Sequence, residues 1–132
     1  MPGLTYLDAS AIVKLVVEED ESAALRSALR DRPRRVCSAI ALVEVRLAAA
    51  RRSPAPPPSR ADAVLAGLAL IAVDWSTLRH AAGMRLQGLR ALDAIHLASA
   101  QSLGEDLDVF IAYDKPLLAA ARACGLTIEE PC

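Results

Sequence analysis

Five short runs rich in apolar residues, LTYLDAS (Leu4–Ser10), RRVCSA, ALIAVD, DVFIAYD and LTIEE, are each separated from the next by one or two stretches with helical spacing. That alternation constrains the fold more than any other feature. Strands divided by helices point to a parallel sheet with helices on both faces. The runs are continuously apolar rather than alternating, as strands covered on both sides are. In such a sheet the working site lies beyond the carboxyl ends of the strands. Two of the runs carry an acid there, Asp8 after LTYL and Asp114 after VFIAY.

The intervening stretches read as helices. SAIVKLVVEE follows the first strand, with Ser10 placed to start it, and ESAALRSALR comes next with apolar Ala24, Leu25, Ala28 and Leu29 at helical spacing. IALVEVRLAAARR carries Glu44 on an apolar background. SPAPPPS (Ser53–Ser59) cannot continue a helix and reads as a loop or corner. SRADAVLAGL is helical, and WSTLRHAAGMRLQGL is a helix or a broken one. RALDAIHLASAQSLG is a helix stopped by Gly104 as a C-terminal cap. KPLLAAARACG has Pro116 near its start and Gly125 past its end. No internal repeat is present and the proline-rich stretch is too short to divide the chain, so residues 1–132 are expected to form a single domain.

Composition narrows the class. The hydrophobic share of 54% and the mean hydropathy of +0.30 fit an ordered core. With one Trp, two Tyr and one Phe, that core must be built from aliphatic side chains. A net charge of −1 gives no global attraction to nucleic acid. Most of the basic residues are arginine, which suits bidentate phosphate recognition; a coding bias that also favours alanine and proline explains it equally well. Cys37, Cys124 and Cys132 are too few and too scattered for a disulfide framework or a zinc site. No basic segment followed by a long apolar one opens the chain, and no apolar stretch approaches the ~20 residues of a membrane span. A soluble, cytoplasmic protein with no membrane role is expected.

Four acids stand apart from the rest. Asp8 and Asp114 end strands, while Glu44 in ALVEVRLA and Asp93 in LDAIHLASA lie among apolar helical neighbours. The other acids, such as Glu18, Glu19, Asp20 and Glu21, sit in polar runs that read as solvated surface. Carboxylates gathered without cations repel one another and bind protons. A hard divalent ion, Mg2+ or Mn2+, removes that repulsion, prefers oxygen ligands and can activate a bound water against a phosphate. Each acid also has a plainer role open to it. Asp8 and Asp114 can cap the helices that follow them, Glu44 can pair with Arg46 or Arg51, and Asp93 can interact with the start of its helix. His96, three residues after Asp93, reads as a hydrogen-bonded structural histidine or as a partner of the acids. Ser10 reads as a helix cap or as a contact for a water or phosphate. Tyr113 and Trp75 are stacking platforms or packing residues.

In four segments the chain resembles the PIN-domain ribonuclease family, and within it the VapC-type toxins of type II toxin–antitoxin systems. YLDASAIVKLVVEE resembles the first strand, first acid and first helix of the family. SAIALVEVRLAA resembles its second-acid segment, LRALDAIHLASAQSLG its third-acid helix, and VFIAYDKPLLAAARACGL its fourth-acid segment and closing helix. One departure is Ala112, where the family often has Thr or Ser two residues before the last acid. The resemblance implies a PIN-like α/β/α sandwich with a central parallel sheet of about five strands. It implies Asp8, Glu44, Asp93 and Asp114 as the acidic pocket and metal ligands, with Ser10 and His96 around them.

By the same resemblance the chain is expected to be an Mg2+- or Mn2+-dependent endoribonuclease. It would act as a homodimer on an RNA substrate and be held in check by a cognate antitoxin protein. Arg34, Arg35, Arg51, Arg52 or Arg90 would position the RNA backbone. Two alternatives stand beside this one: a non-catalytic protein keeping the same fold, and a phosphoacceptor receiver domain, which shares the length and a doubly wound sheet.

Overall fold

From Gly3 to Cys132, the residues the structure describes, strand and helix alternate as the apolar runs predict. In this computed structural model the elements are β1 (Leu4–Leu7), α1 (Ala9–Val16), α2 (Ser22–Leu29), β2 (Arg35–Ser38), α3 (Ala41–Ala50), α4 (Pro58–Ala66), β3 (Ala69–Ile71), α5 (Trp75–Ala82), α6 (Ala91–Gln101), β4 (Leu107–Ile111), α7 (Lys115–Ala123) and β5 (Ile128–Glu129). They form one five-stranded sheet in the order β3-β2-β1-β4-β5, every pair parallel. A receiver domain has the order 2-1-3-4-5, so that alternative is set aside.

Strand order fixes where a site can form. The chain steps from β1 outward to β2 and β3, then crosses back to β4 and on to β5. Because parallel crossovers are right-handed, reversing the direction of travel moves the connecting helices to the other face. The packing agrees: α1 packs against α2, α3 and α4, whereas α6 packs against α5 and lies on β2 and β4. The reversal leaves its crevice between β1 and β4, beyond their carboxyl ends. Leu7 is in register with Ile111, so Asp8 and the residues after Ile111 emerge side by side.

The core follows from the same alternation. Tyr6, Leu7, Phe110 and Ile111 are fully buried in the two central strands, with Ile12, Val16, Leu25, Val45, Leu97 and Leu117 covering them. α6 is buried nearly all round, through Ala94, His96, Leu97, Ala98, Ser99 and Ala100, and its small residues let it lie close to the sheet. The expectation of strands covered on both sides holds for β1 and β4 but not for β3, whose Ala69 and Leu70 are exposed at the sheet edge.

Two boundaries differ from the sequence reading. Gly104 is not the cap of α6. The helix ends at Gln101, and Gly104, with φ of 55°, opens a short 3₁₀ turn at Gly104–Asp106. Its positive φ is used in the turn rather than at the helix end. Ser10 does not cap α1 either; Asp8 does, its side chain accepting from the Ala11 amide. Gly125, with φ of 84°, does follow α7 directly after Cys124, as the C-terminal signal requires. Among the described residues no helix is long and apolar enough to cross a membrane.

Candidate active site

Asp8 is held from several sides. Its amide donates to the Ile111 carbonyl at 3.2 Å, which locks it to the end of β4. Its Oδ1 accepts from the Ser10 hydroxyl at 2.6 Å and from the Ala11 amide at 3.0 Å. The residue is 4% exposed. Burial pushes its carboxyl up to about 6, against the two hydrogen bonds, and the nearby Glu44 charge adds to the rise. An acid in this position keeps its charge at a cost, which is the condition a cation relieves.

Asp114 begins α7, its Oδ1 accepting from the Leu117 amide at 3.2 Å. The Ser10 hydroxyl oxygen accepts the Tyr113 amide at 2.9 Å while its proton goes to Asp8. Ser10 therefore ties the first acid to the loop that carries the last one. Both acids cap helices, and a cap uses one carboxylate oxygen, so the plain role and the functional one coexist.

Asp93 is the third residue of α6. Its carboxyl is raised above the usual range, first by burial and then by the charge of Asp114, while the Arg90 amide opposes the rise. Glu44 projects from α3, and its Oε1 lies 2.7 Å from His96 Nε2. It does not pair with Arg46, which binds Asp62 instead. His96, 2% exposed, lies 2.7 Å from the Tyr6 hydroxyl through Nδ1. Asp8 feels the charge of Glu44, and Asp93 that of Asp114, each as an addition to the larger effect of burial.

Other expected contacts fall elsewhere. Arg34 and Arg35 sit at the amino-terminal end of β2, the opposite end of a parallel sheet from the acids. Arg35 donates to the Arg32 and Leu29 carbonyls. Arg52 is paired with Glu19. Arg90, at the start of α6, is the arginine whose charge reaches Asp93. Tyr113 is no open stacking platform: Lys14 Nζ lies 4.6 Å from its ring centroid and its hydroxyl donates to the Pro131 carbonyl at 2.7 Å. Trp75 is no packing residue; at 69% exposed it stands open just after β3. Ala112 is fully buried.

Sequence reasoning missed Tyr6 and Ser38. The Ser38 amide donates to the Tyr6 hydroxyl at 3.1 Å, so both belong to the hydrogen-bond chain that ends at Glu44. The signal was available for Tyr6, which lies two residues before Asp8 in a strand and so on the same face.

The donor set fits a hard cation: oxygen ligands only, of which Asp8 and Asp93 are destabilised as anions first by burial and then by the charges of Glu44 and Asp114 respectively. Among the described residues no three His, Cys, Asp or Glu side chains stand together as a ready metal cage.

Comparison with known proteins gives a consistent result. The PIN domain family matches residues 5–123. Ribonuclease VapC46 of Mycobacterium tuberculosis (strain ATCC 25618 / H37Rv) is 46% identical over 126 residues, covering 96% of each chain. Ribonuclease VapC35 of the same species (strain CDC 1551 / Oshkosh) is 40% identical, with 97% of each covered. Among solved structures, M. tuberculosis VapC20, described as a sarcin-ricin loop cleaving toxin, superposes with a TM-score of 0.74 at 17% identity, covering 96% of this chain and 99% of that one. A toxin–antitoxin complex from Klebsiella pneumoniae gives 0.72 at 21%, covering 97% and 98%. At these identities the structural likenesses speak for the fold.

Proposed function

The chain belongs to the PIN-domain family and to the VapC-type toxins within it, and from that premise we propose an endoribonuclease using Mg2+ or Mn2+ held by Asp8, Glu44, Asp93 and Asp114. The observation that carries this reading is Asp8, buried and, among the described residues, in no ion pair where β1 ends beside β4, with the carboxyl of Asp93 raised by burial and by the charge of Asp114. When bound, the cation supplies an acidified water and offsets the charge that builds on the phosphate. Asp8 is fixed for its part by the Ser10 and Ala11 donors, and Asp114 by the Leu117 amide. Arg90, beside Asp93, is placed to orient a phosphate, and exposed Trp75 offers a surface on which a base can stack.

Partners follow from the family and from surface chemistry. Exposed Leu42, Val43 and Leu47 on α3 form an apolar face of the kind that marks association, which supports a homodimer. A cognate antitoxin would restrain the enzyme in the cytoplasm. The test is cleavage of a panel of structured RNAs by purified protein in Mg2+ or Mn2+, with sedimentation of the same sample. Cuts with defined 5′ ends that chelator abolishes, from a species of dimer mass, are expected. An intact panel with metal present would leave a non-catalytic protein of the same fold.

A further inference from the structure

Glu44 is the one acid of the four whose visible partner is a histidine, and that histidine is itself held from behind. We infer that Ser38, Tyr6 and His96 form a directed hydrogen-bond relay that positions the Glu44 carboxylate, with His96 a positioning residue for the cation site. The inference rests on the metal-dependent reading above and extends it to residues outside the four acids.

The proton arrangement follows from the donors. The Tyr6 hydroxyl oxygen accepts the Ser38 amide at 3.1 Å and has one proton to give. An ionised Glu44 has none, so the 2.7 Å contact requires His96 Nε2 to donate. In a neutral imidazole Nδ1 then accepts, and the 2.7 Å contact to Tyr6 is filled by the tyrosine proton. Each donor points the same way, from the β2 backbone through Tyr6 and His96 to Glu44. Such chains polarise along their length.

Packing fixes the direction. The Tyr6 ring stacks on Phe110 at 5.1 Å with planes 5° apart, and meets His96 edge-on at 5.8 Å and 84°. Tyr6, Phe110 and Ser38 are fully buried and His96 nearly so, so the relay is shielded from water until it reaches Glu44. Glu44 lies on α3 with exposed apolar neighbours, its side chain 22% exposed and hydrogen-bonded to His96. A donor locked at one tautomer selects one carboxylate rotamer, as outer partners do for ligands of bound metals.

The test uses Tyr6→Phe, His96→Gln and His96→Leu in the full chain. Mn2+ affinity is read by the resonance of free Mn2+, and kcat and KM on an RNA that the wild type cleaves. The tautomer of His96 is read from its ring nitrogen shifts. Tyr6→Phe and His96→Leu are expected to weaken Mn2+ binding and kcat by about 10- to 100-fold without raising KM. His96→Gln, which keeps a donor facing Glu44, should retain more than His96→Leu, and the ring should carry its proton on Nε2. Variants that melt earlier yet bind Mn2+ like the wild type would overturn the relay, as would equal losses in His96→Gln and His96→Leu or a proton on Nδ1. Should Tyr6→Phe not fold, the two His96 variants decide. A wild type that neither binds Mn2+ nor cuts RNA removes the ribonuclease reading and the relay with it; a wild type that does both, beside unaffected variants, removes the relay alone.

Discussion

Where β2 and β4 begin, the fold satisfies its charges. Arg32 donates to Asp108 at 2.8 Å and reaches up the sheet to Glu129, in register with Ile111, at 3.2 Å, and Arg35 is held by two backbone carbonyls. Where β1 and β4 finish, acids gather without such relief: among the described residues no ion pair reaches Asp8, Asp93 or Asp114, and two of these carboxyls are raised by burial. The same backbone direction builds both ends, so the difference is one of side-chain choice. A protein selected only for stability would pair or remove the second set, because buried unpaired charge is costly. The unrelieved end is therefore where a ligand's charge is to be expected.

Isosteric loss of charge at each end gives the sharpest contrast. Asp93→Asn should lower the rate of metal-dependent RNA cleavage by about 100-fold or more, since cation stabilisation of the transition state amounts to several kcal/mol. Asp108→Asn, at the start of β4, should leave the rate unchanged. Initial rates at low Mg2+ measure both; equal rates for wild type and Asp93→Asn would break the distinction between the ends.

What the sequence revealed of this contrast, and what it hid, has a physical pattern. Asp8 and Asp114 stand out in the sequence because the residues that follow a parallel strand enter the crevice, whatever the strand order. Glu44 and Asp93 stand out in the sequence by the apolar neighbours on their helices. The Tyr6–His96–Glu44 chain does not, because its members meet across 90 and 52 residues and no local periodicity encodes that distance. Arg34 and Arg35 were misjudged by weighing charge without direction, since residues before a parallel strand lie at its far end. That β3 is an edge strand with Ala69 and Leu70 exposed was hidden too, because strand order depends on which way each crossover turns. Gly104 was misplaced because its backbone freedom serves a turn three residues beyond the helix end.

Stability against pH tests the same contrast in chelator. The Asp8 carboxyl is about 6 when folded against an ordinary 3.8. Between those values the folded state binds the extra proton at Asp8, so the contribution of Asp8 to stability falls as pH rises from about 4 through 6. Asp8→Asn removes this loss and should be the more stable protein at pH 7 by up to about 3 kcal/mol, less whatever the poorer cap costs. Urea unfolding at pH 4 and pH 7 measures it, and Mn2+ should narrow the gap between the two proteins. Other carboxyls, such as Glu19 and Asp74, are lowered in the fold and add stability over the same range. The difference between the two proteins is therefore what reports Asp8, and a gap that does not widen from pH 4 to pH 7 would overturn its raised carboxyl.

The smallest effect belongs to the satisfied end. Arg32 bridges Asp108 and Glu129, but all three side chains are partly open to water, Arg32 at 25% and the acids at 55% and 40%. Ion pairs in that setting contribute at most about 1 kcal/mol, because solvent screens them and holding long side chains costs entropy. Arg32→Ala should lower the melting temperature by no more than a few degrees, by less in high salt, and leave cleavage untouched. A large loss of stability would show that the amino-terminal end carries buried charge as strained as the other, and the asymmetry that singles out the acids would disappear. Loss of cleavage with stability intact would instead move part of the RNA contact to the end of the sheet where Arg34 and Arg35 lie.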